Sequence, residues 1–235
     1  MPKLKSHRRS EAARSRIQAV VGGRVGTRDV SCDFVPQRGS GFRHKVNEWP
    51  VSEVTNKFHK LVIPDKPPRA DAYFVLLIGD SHLRSFADGI VPVSDKHLDF
   101  GIMCTPGASA AQLRREVLHA VVPREPDAVC VMAPSNNLTT SVEPEEAGHE
   151  FEKYLIAVCS QWPKSKIFCT GMVPRLTEPS DKQTLFQHEF HRRSSKLGIP
   201  CYSISDKLPL SHLDLWCRDG VSISSFDILH YYISM

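Results

Sequence analysis

The chain has no long hydrophobic run. No stretch of its 235 residues approaches the ~18 consecutive apolar residues of a membrane span, which argues against a spanning helix. Nor does an apolar segment follow the charged start Met1-Pro2-Lys3-Leu4-Lys5, so the N-terminus is not read as a secretory signal. There is no Cys-x-x-Cys pair. The seven cysteines (Cys32, Cys104, Cys130, Cys159, Cys169, Cys201, Cys217) are odd in number and scattered. That argues against a zinc ribbon or a disulfide framework and points to a reducing compartment, cytoplasmic or nuclear. There is no internal repeat, and so no solenoid.

Net charge is also small, +4, but unevenly spread. Residues 1–46 carry 11 Lys+Arg against 3 Asp+Glu, a net of +8, while the remainder carries −4. Lys3, Lys5, Arg8, Arg9, Arg14 and Arg16 fall within sixteen residues. Such a cluster attracts phosphate backbones or serves as an import address, and a solvated terminus is the plain alternative. Aromatic interleaving, finger spacings and heptads are lacking, so base-specific readout of RNA or DNA has no support.

Residues 1–70 show no sustained periodicity. They hold Gly22-Gly23, Gly39-Ser40-Gly41 and Pro64-Asp65-Lys66-Pro67-Pro68. They are expected to be a basic, largely disordered arm, with a short helix at 10–21 and Trp49, Val54, Phe58 and Leu61 as anchors. A domain is expected over 71–235. Tyr73-Phe74-Val75-Leu76-Leu77-Ile78 is apolar on both faces, as central parallel strands are. Further strands are expected at 99–103, 128–132, 166–170 and 201–204, and helices at 108–122, from Pro144 to Pro163, and at 181–196. The alternation predicts a three-layer α/β/α sandwich with a mostly parallel sheet, flavodoxin-like in general architecture.

Ligands in such sheets bind beyond the carboxyl ends of the strands. There stand Gly79-Asp80-Ser81, then Gly107 in Thr105-Pro106-Gly107-Ala108, then Pro134-Ser135-Asn136-Asn137, and near the C-terminus Asp219-Gly220-Val221-Ser222. In this order the four pieces resemble the SGNH (GDSL-type) hydrolase family over roughly residues 72–222. The resemblance implies acyl-ester hydrolysis of a small substrate with no metal or cofactor. It implies Ser81 as nucleophile, and the Ser81 N–H, Gly107 and Asn136 as the oxyanion hole. It also implies Asp219 as the residue that orients the base.

The family's Asp-x-x-His block reads Asp-x-x-Ser here, so the base position holds Ser222. Serine cannot take a proton near neutral pH, and Ser81 is left without an activator. His230, eight residues late, is the substitute to weigh. His82, His188 and His191 are expected to point elsewhere. The tail 222–235 is unlike the family's closing segment and reads as a replaced or degenerated terminus joined after Val221. The expected function is therefore a weak or silent serine esterase. The alternative is a silent domain whose arm binds nucleic acid, since the wider family includes RNA-binding members and retrotransposon-encoded esterase domains. Oligomeric state has no signature.

Overall fold

The computed structural model describes residues 34–43, 45, 47–64, 72–93, 95–141 and 143–224. Its sheet is built from β1 (Lys60–Val62), β2 (Tyr73–Gly79), β3 (Leu98–Cys104), β4 (Ala128–Met132), β5 (Lys166–Thr170) and β6 (Cys201–Tyr202). The spatial order is β1-β3-β2-β4-β5-β6. Every neighbouring pair is parallel except β1 with β3. The five parallel strands thus run in the 2-1-3-4-5 order of flavodoxin-like sheets; the alternation of strands and helices predicts the parallel sheet, not this order. The direction of winding reverses between β2 and β4, and that crevice is where such folds place a ligand.

The helices are α1 (Arg84–Ala87), α2 (Ala110–His119), α3 (Asn137–Thr140), α4 (Pro144–Gln161) and α5 (Ser180–Lys196). The side chain of Gln112 accepts the Ser109 N–H at the start of α2. Pro144 opens α4, where a missing N–H costs nothing, and Glu145 and Glu146 sit at the positive end of that helix. Gly198, at φ 69°, follows α5 and ends it.

One sheet face is buried beneath the long helices. Phe74, Leu76 and Ile78 of β2 and Val129 and Val131 of β4 meet Leu113, Phe151, Tyr154, Leu155, Phe186 and Phe190 there. The other face carries Leu83 and Phe86 beside Ile102, Met132, Val173 and Trp216. It is covered by α1 and by irregular segments, and its lower part leaves an apolar cavity of about 370 Å³ lined by residues including Leu77, Phe100, Cys130 and Phe168.

The described part of the expected arm belongs to the fold, so the boundary at residue 71 is corrected. Strand β1 extends the sheet within it, through Lys60↔Cys104, Leu61↔Met103 and Val62↔Ile102. Trp49 is 5% exposed, and its indole N–H donates to Asp88 at 2.6 Å. Lys60 and Arg84 lie over its ring. Leu61 packs on the core, while Val54 is half-buried and Phe58 exposed. Residues 37–41 run beside 213–217, with Gly39 N donating to Cys217 O and Gly41 N to Trp216 O. A Cβ on Gly39 would lie 1.9 Å from the Trp216 carbonyl oxygen, so no other residue permits this approach. The compact unit containing the sheet starts at Val35. The helix expected at 10–21 lies outside the described residues.

Candidate active site

β2 ends at Gly79, and the chain turns at once into a 3₁₀ turn over Ser81–Leu83. Asp80 caps that turn, its carboxylate accepting the His82 N–H at 3.2 Å. Asp80 is fully buried. Its other oxygen accepts from the Ser135 N–H (3.2 Å), the Ser135 hydroxyl (3.3 Å) and the Asn136 side-chain amide (2.9 Å). One carboxylate therefore ties the end of β2 to the end of β4 across the switch point. From below, the buried Cys104 thiol donates to the Asp80 carbonyl at 3.0 Å.

Ser81 is half-buried at this turn. Among the described residues its hydroxyl has no hydrogen-bond partner, and its N–H is not engaged by any backbone carbonyl. Gly107 stands in the turn that follows β3, closed by Ala108 N donating to Thr105 O at 3.1 Å. Its φ of 73° is the positive value that position i+2 of a type II turn needs after Pro106. The Gly107 N–H is likewise unengaged by the described backbone. Asn136 follows β4. Its Oδ1 accepts from Arg175 at 2.9 Å, which fixes the orientation of the amide. Its Nδ2 donates both to Asp80 and to the Ala108 carbonyl, at 3.1 Å. Both amide protons are thus spent, whereas the sequence expectation makes this amide an oxyanion donor.

The sequence reading missed Arg175. It lies beyond the end of β5 and is 4% exposed. Its guanidinium donates to Ser135 Oγ and Asn136 Oδ1, each at 2.9 Å. Burial lowers its pKa, and the charges of Asp80, Glu178 and Asp219 oppose that. Its own backbone is held by Gln183, which accepts the Arg175 N–H at 2.7 Å and donates to its carbonyl at 2.8 Å. Its only sequence signal was a place five residues past the expected strand 166–170, with no motif to single it out.

His82 turns inward, not toward a reacting group. Its Nε2 lies 3.1 Å from Ser135 Oγ. Burial lowers its pKa, Asp80 pulls against this and Arg175 adds to it. The ring is therefore neutral at neutral pH, and its buried Nδ1 has no hydrogen-bond partner among the described residues. His188 and His191 lie exposed on α5.

The Asp219 segment folds onto the same end of the sheet. Leu176 N donates to Gly220 O at 2.8 Å, and the Asp219 charge is felt by both His82 and Arg175. One Asp219 oxygen accepts the N–H groups of Val221 (2.9 Å) and Ser222 (2.8 Å); the other accepts the Ser222 hydroxyl at 2.8 Å. Arg43 stands 3.6 Å away. Burial raises the Asp219 pKa, but these hydrogen bonds and Arg43 outweigh it and hold the carboxylate below its usual range. His230 and the basic cluster Lys3, Lys5, Arg8, Arg9, Arg14 and Arg16 lie outside the described residues. Among the described residues no group of His, Cys, Asp and Glu is disposed to hold a metal ion, and no helix is long and apolar enough to cross a membrane.

No family model matches the chain, and no curated protein matches it in sequence. Solved structures do match in fold. The esterase EstA from Pseudoalteromonas sp., in a structure inhibited by monoethylphosphonate, superposes with a TM-score of 0.55 at 11% identity, over 69% of this chain and 94% of that one. A lipase/acylhydrolase from Enterococcus faecalis gives 0.54 at 11% identity, over 69% and 91%. A GDSL-like lipase from Bacteroides thetaiotaomicron gives 0.50 at 14% identity, over 71% and 88%. These likenesses show that the chain shares the α/β fold of these esterases and acylhydrolases.

Proposed function

We propose that this protein is an SGNH-type acyl-ester hydrolase scaffold in which Ser81 occupies the nucleophile position without a base, so that it hydrolyses small esters weakly or not at all. The observation that carries this is the occupancy of Asp219. Its carboxylate is engaged by Ser222 and two backbone N–H groups, where an active site of this type presents an imidazole. Attack by a serine hydroxyl needs a group that takes its proton, and none of the described side chains reaches Ser81. The rest of the apparatus supports the same reaction class. The backbone N–H groups of Ser81 and Gly107 are the donors that a developing oxyanion needs. The Asn136 amide joins them only by releasing Ala108 or Asp80. The fold likeness to esterases and acylhydrolases supports acyl transfer over other chemistry.

A fluorophosphonate probe and a short p-nitrophenyl ester test this. The native chain is expected to label slowly at Ser81 and to turn over little ester. Ser222→His is expected to raise both rates about 10²-fold or more, in the 10²–10⁴ range of a positioned general base, and Ser81→Ala to abolish the gain. A folded Ser222→His with unchanged rates would sink the lost-base reading. Robust native activity that His230→Ala removes would replace it with a base supplied by the tail.

The charge split supports a second reading, a silent domain whose basic arm engages RNA or DNA. Deleting residues 1–34, which leaves the backbone pairing of residues 37–41 intact, is expected to abolish salt-sensitive RNA binding on this reading. Unchanged binding overturns it.

A further inference from the structure

Cys169 and Cys201 are partners in the register of β5 and β6. Strands in a sheet lie about 4.7–4.9 Å apart, inside the Cα separation of about 4.4–6.8 Å that a disulfide spans. Both side chains face the layer of α5 and adjoin the core there. Strand β6 is the outermost of the sheet. Cys201 on it is half-buried, while Cys169 is fully buried. We propose that this pair is a peroxide-oxidisable dithiol that closes to a disulfide across the β5–β6 edge. The inference is independent of any role for Ser81.

The two thiols are unequal in the way such chemistry requires. The neighbouring Cys169 and Ser194 side chains pull the Cys201 pKa down against its burial, although the Cys169 thiol donates to the Pro200 carbonyl at 3.5 Å and the Ser194 hydroxyl to the His191 carbonyl. The contact with Cys201, with burial, pushes Cys169 up and keeps it protonated. The other described cysteines go the opposite way from Cys201. Burial raises Cys104, Cys159 and Cys217, and pushes Cys130 up to about 12. The reactive species is the thiolate, so Cys201 is the first sulfur to react.

The Cys201 thiolate attacks one oxygen of hydrogen peroxide. The S–O bond forms, the O–O bond breaks, and the departing hydroxide takes up a proton to become water. The Cys169 sulfur then attacks the sulfenic sulfur of Cys201. The S–S bond forms, the S–O bond breaks, and the leaving hydroxide takes the Cys169 proton as a second water. Two thiols lose two electrons in all, and one peroxide is reduced to two waters.

The test is brief exposure of the full chain to a small excess of hydrogen peroxide, alkylation of the remaining thiols, digestion and mass spectrometry. The expected result is a Cys169–Cys201 cross-linked peptide that dithiothreitol removes, with two of the seven cysteines lost to alkylation. Cys201→Ser, at the half-buried position, is expected to leave Cys169 fully alkylatable after the same exposure. Oxidation of Cys201 to sulfinic or sulfonic acid with no cross-link would overturn the proposal, as would oxidation of Cys104 or Cys130 ahead of Cys201.

Discussion

At the scale of single residues the site is a polar hub that happens to adjoin a serine. Asp80 binds the ends of β2 and β4 together, Arg175 braces that junction, and His82 is sealed in beside it. Arg175→Met leaves Ser135 and Asn136 without their charged donor and Asp80 without a nearby cation. It is expected to cost about 3 kcal/mol, the order found when one member of a buried charge cluster is removed, measurable by urea denaturation. His82 also gives the fold an acid sensitivity. Its folded pKa lies below the ordinary 6.5, chiefly through burial. Between those two values the unfolded chain binds the proton and the folded chain does not. Stability is therefore complete above pH 6.5 and falls as the pH drops, by up to about 1.4 kcal/mol per unit for one group. His59, lowered by burial against the pull of Glu116, adds in the same direction. Thermal unfolding between pH 7.5 and 5 is expected to show this slope, and His82→Gln is expected to reduce it. An unchanged slope would mean that His82 is not the group that titrates. Ser81, Gly107 and Asn136 could be singled out in the sequence because each follows a strand, and Asp219 because of a short motif near the C-terminus. Arg175 could not, because its role exists only through contacts with Ser135 and Asn136, some forty positions earlier in the chain.

At the scale of elements, the sequence served best where periodicity is enforced by burial. Strands β2, β4 and β5 and helices α4 and α5 stand where their apolar patterns put them, because each buries that pattern against the same core. Strand β1 escaped notice. Lys60-Leu61-Val62 is three residues long, half-buried throughout and followed by Ile63-Pro64, so no alternation marks it. The stretch Gly39-Ser40-Gly41 was misread for a related reason. Glycine and serine mark loose loops, yet here the missing Cβ lets one backbone lie against the carbonyls of Trp216 and Cys217. Gly39→Val is expected to detach this segment, seen as a loss of hydrogen-exchange protection at Gly41. Trp49→Ala removes a buried indole and its bond to Asp88. It is expected to cost about 3–5 kcal/mol, as large aromatic truncations do, whereas a Trp49 on a disordered arm would cost nothing.

At the scale of the whole molecule, the boundary between arm and body decides which truncations survive. A chain beginning at Val35 is expected to unfold cooperatively near the full-length midpoint. A chain beginning at Ala72 loses β1 and the anchoring of Trp49, and is expected to be insoluble or to unfold at a much lower temperature. Equal melting of the two would restore the boundary at 71. The sequence by itself determined the α/β class, the mostly parallel sheet through its alternation of buried strands and amphipathic helices, and the place of Ser81 just after a strand, because these follow from local periodicity. Only the tertiary structure decided that Lys60–Val62 join the sheet, that residues 37–41 and Trp49 pack on the body, that Arg175 completes the hub and that the Asn136 amide is already engaged. Those facts rest on hydrogen bonds between residues dozens of positions apart, and no local pattern in the chain encodes which distant carbonyl or carboxylate will be met.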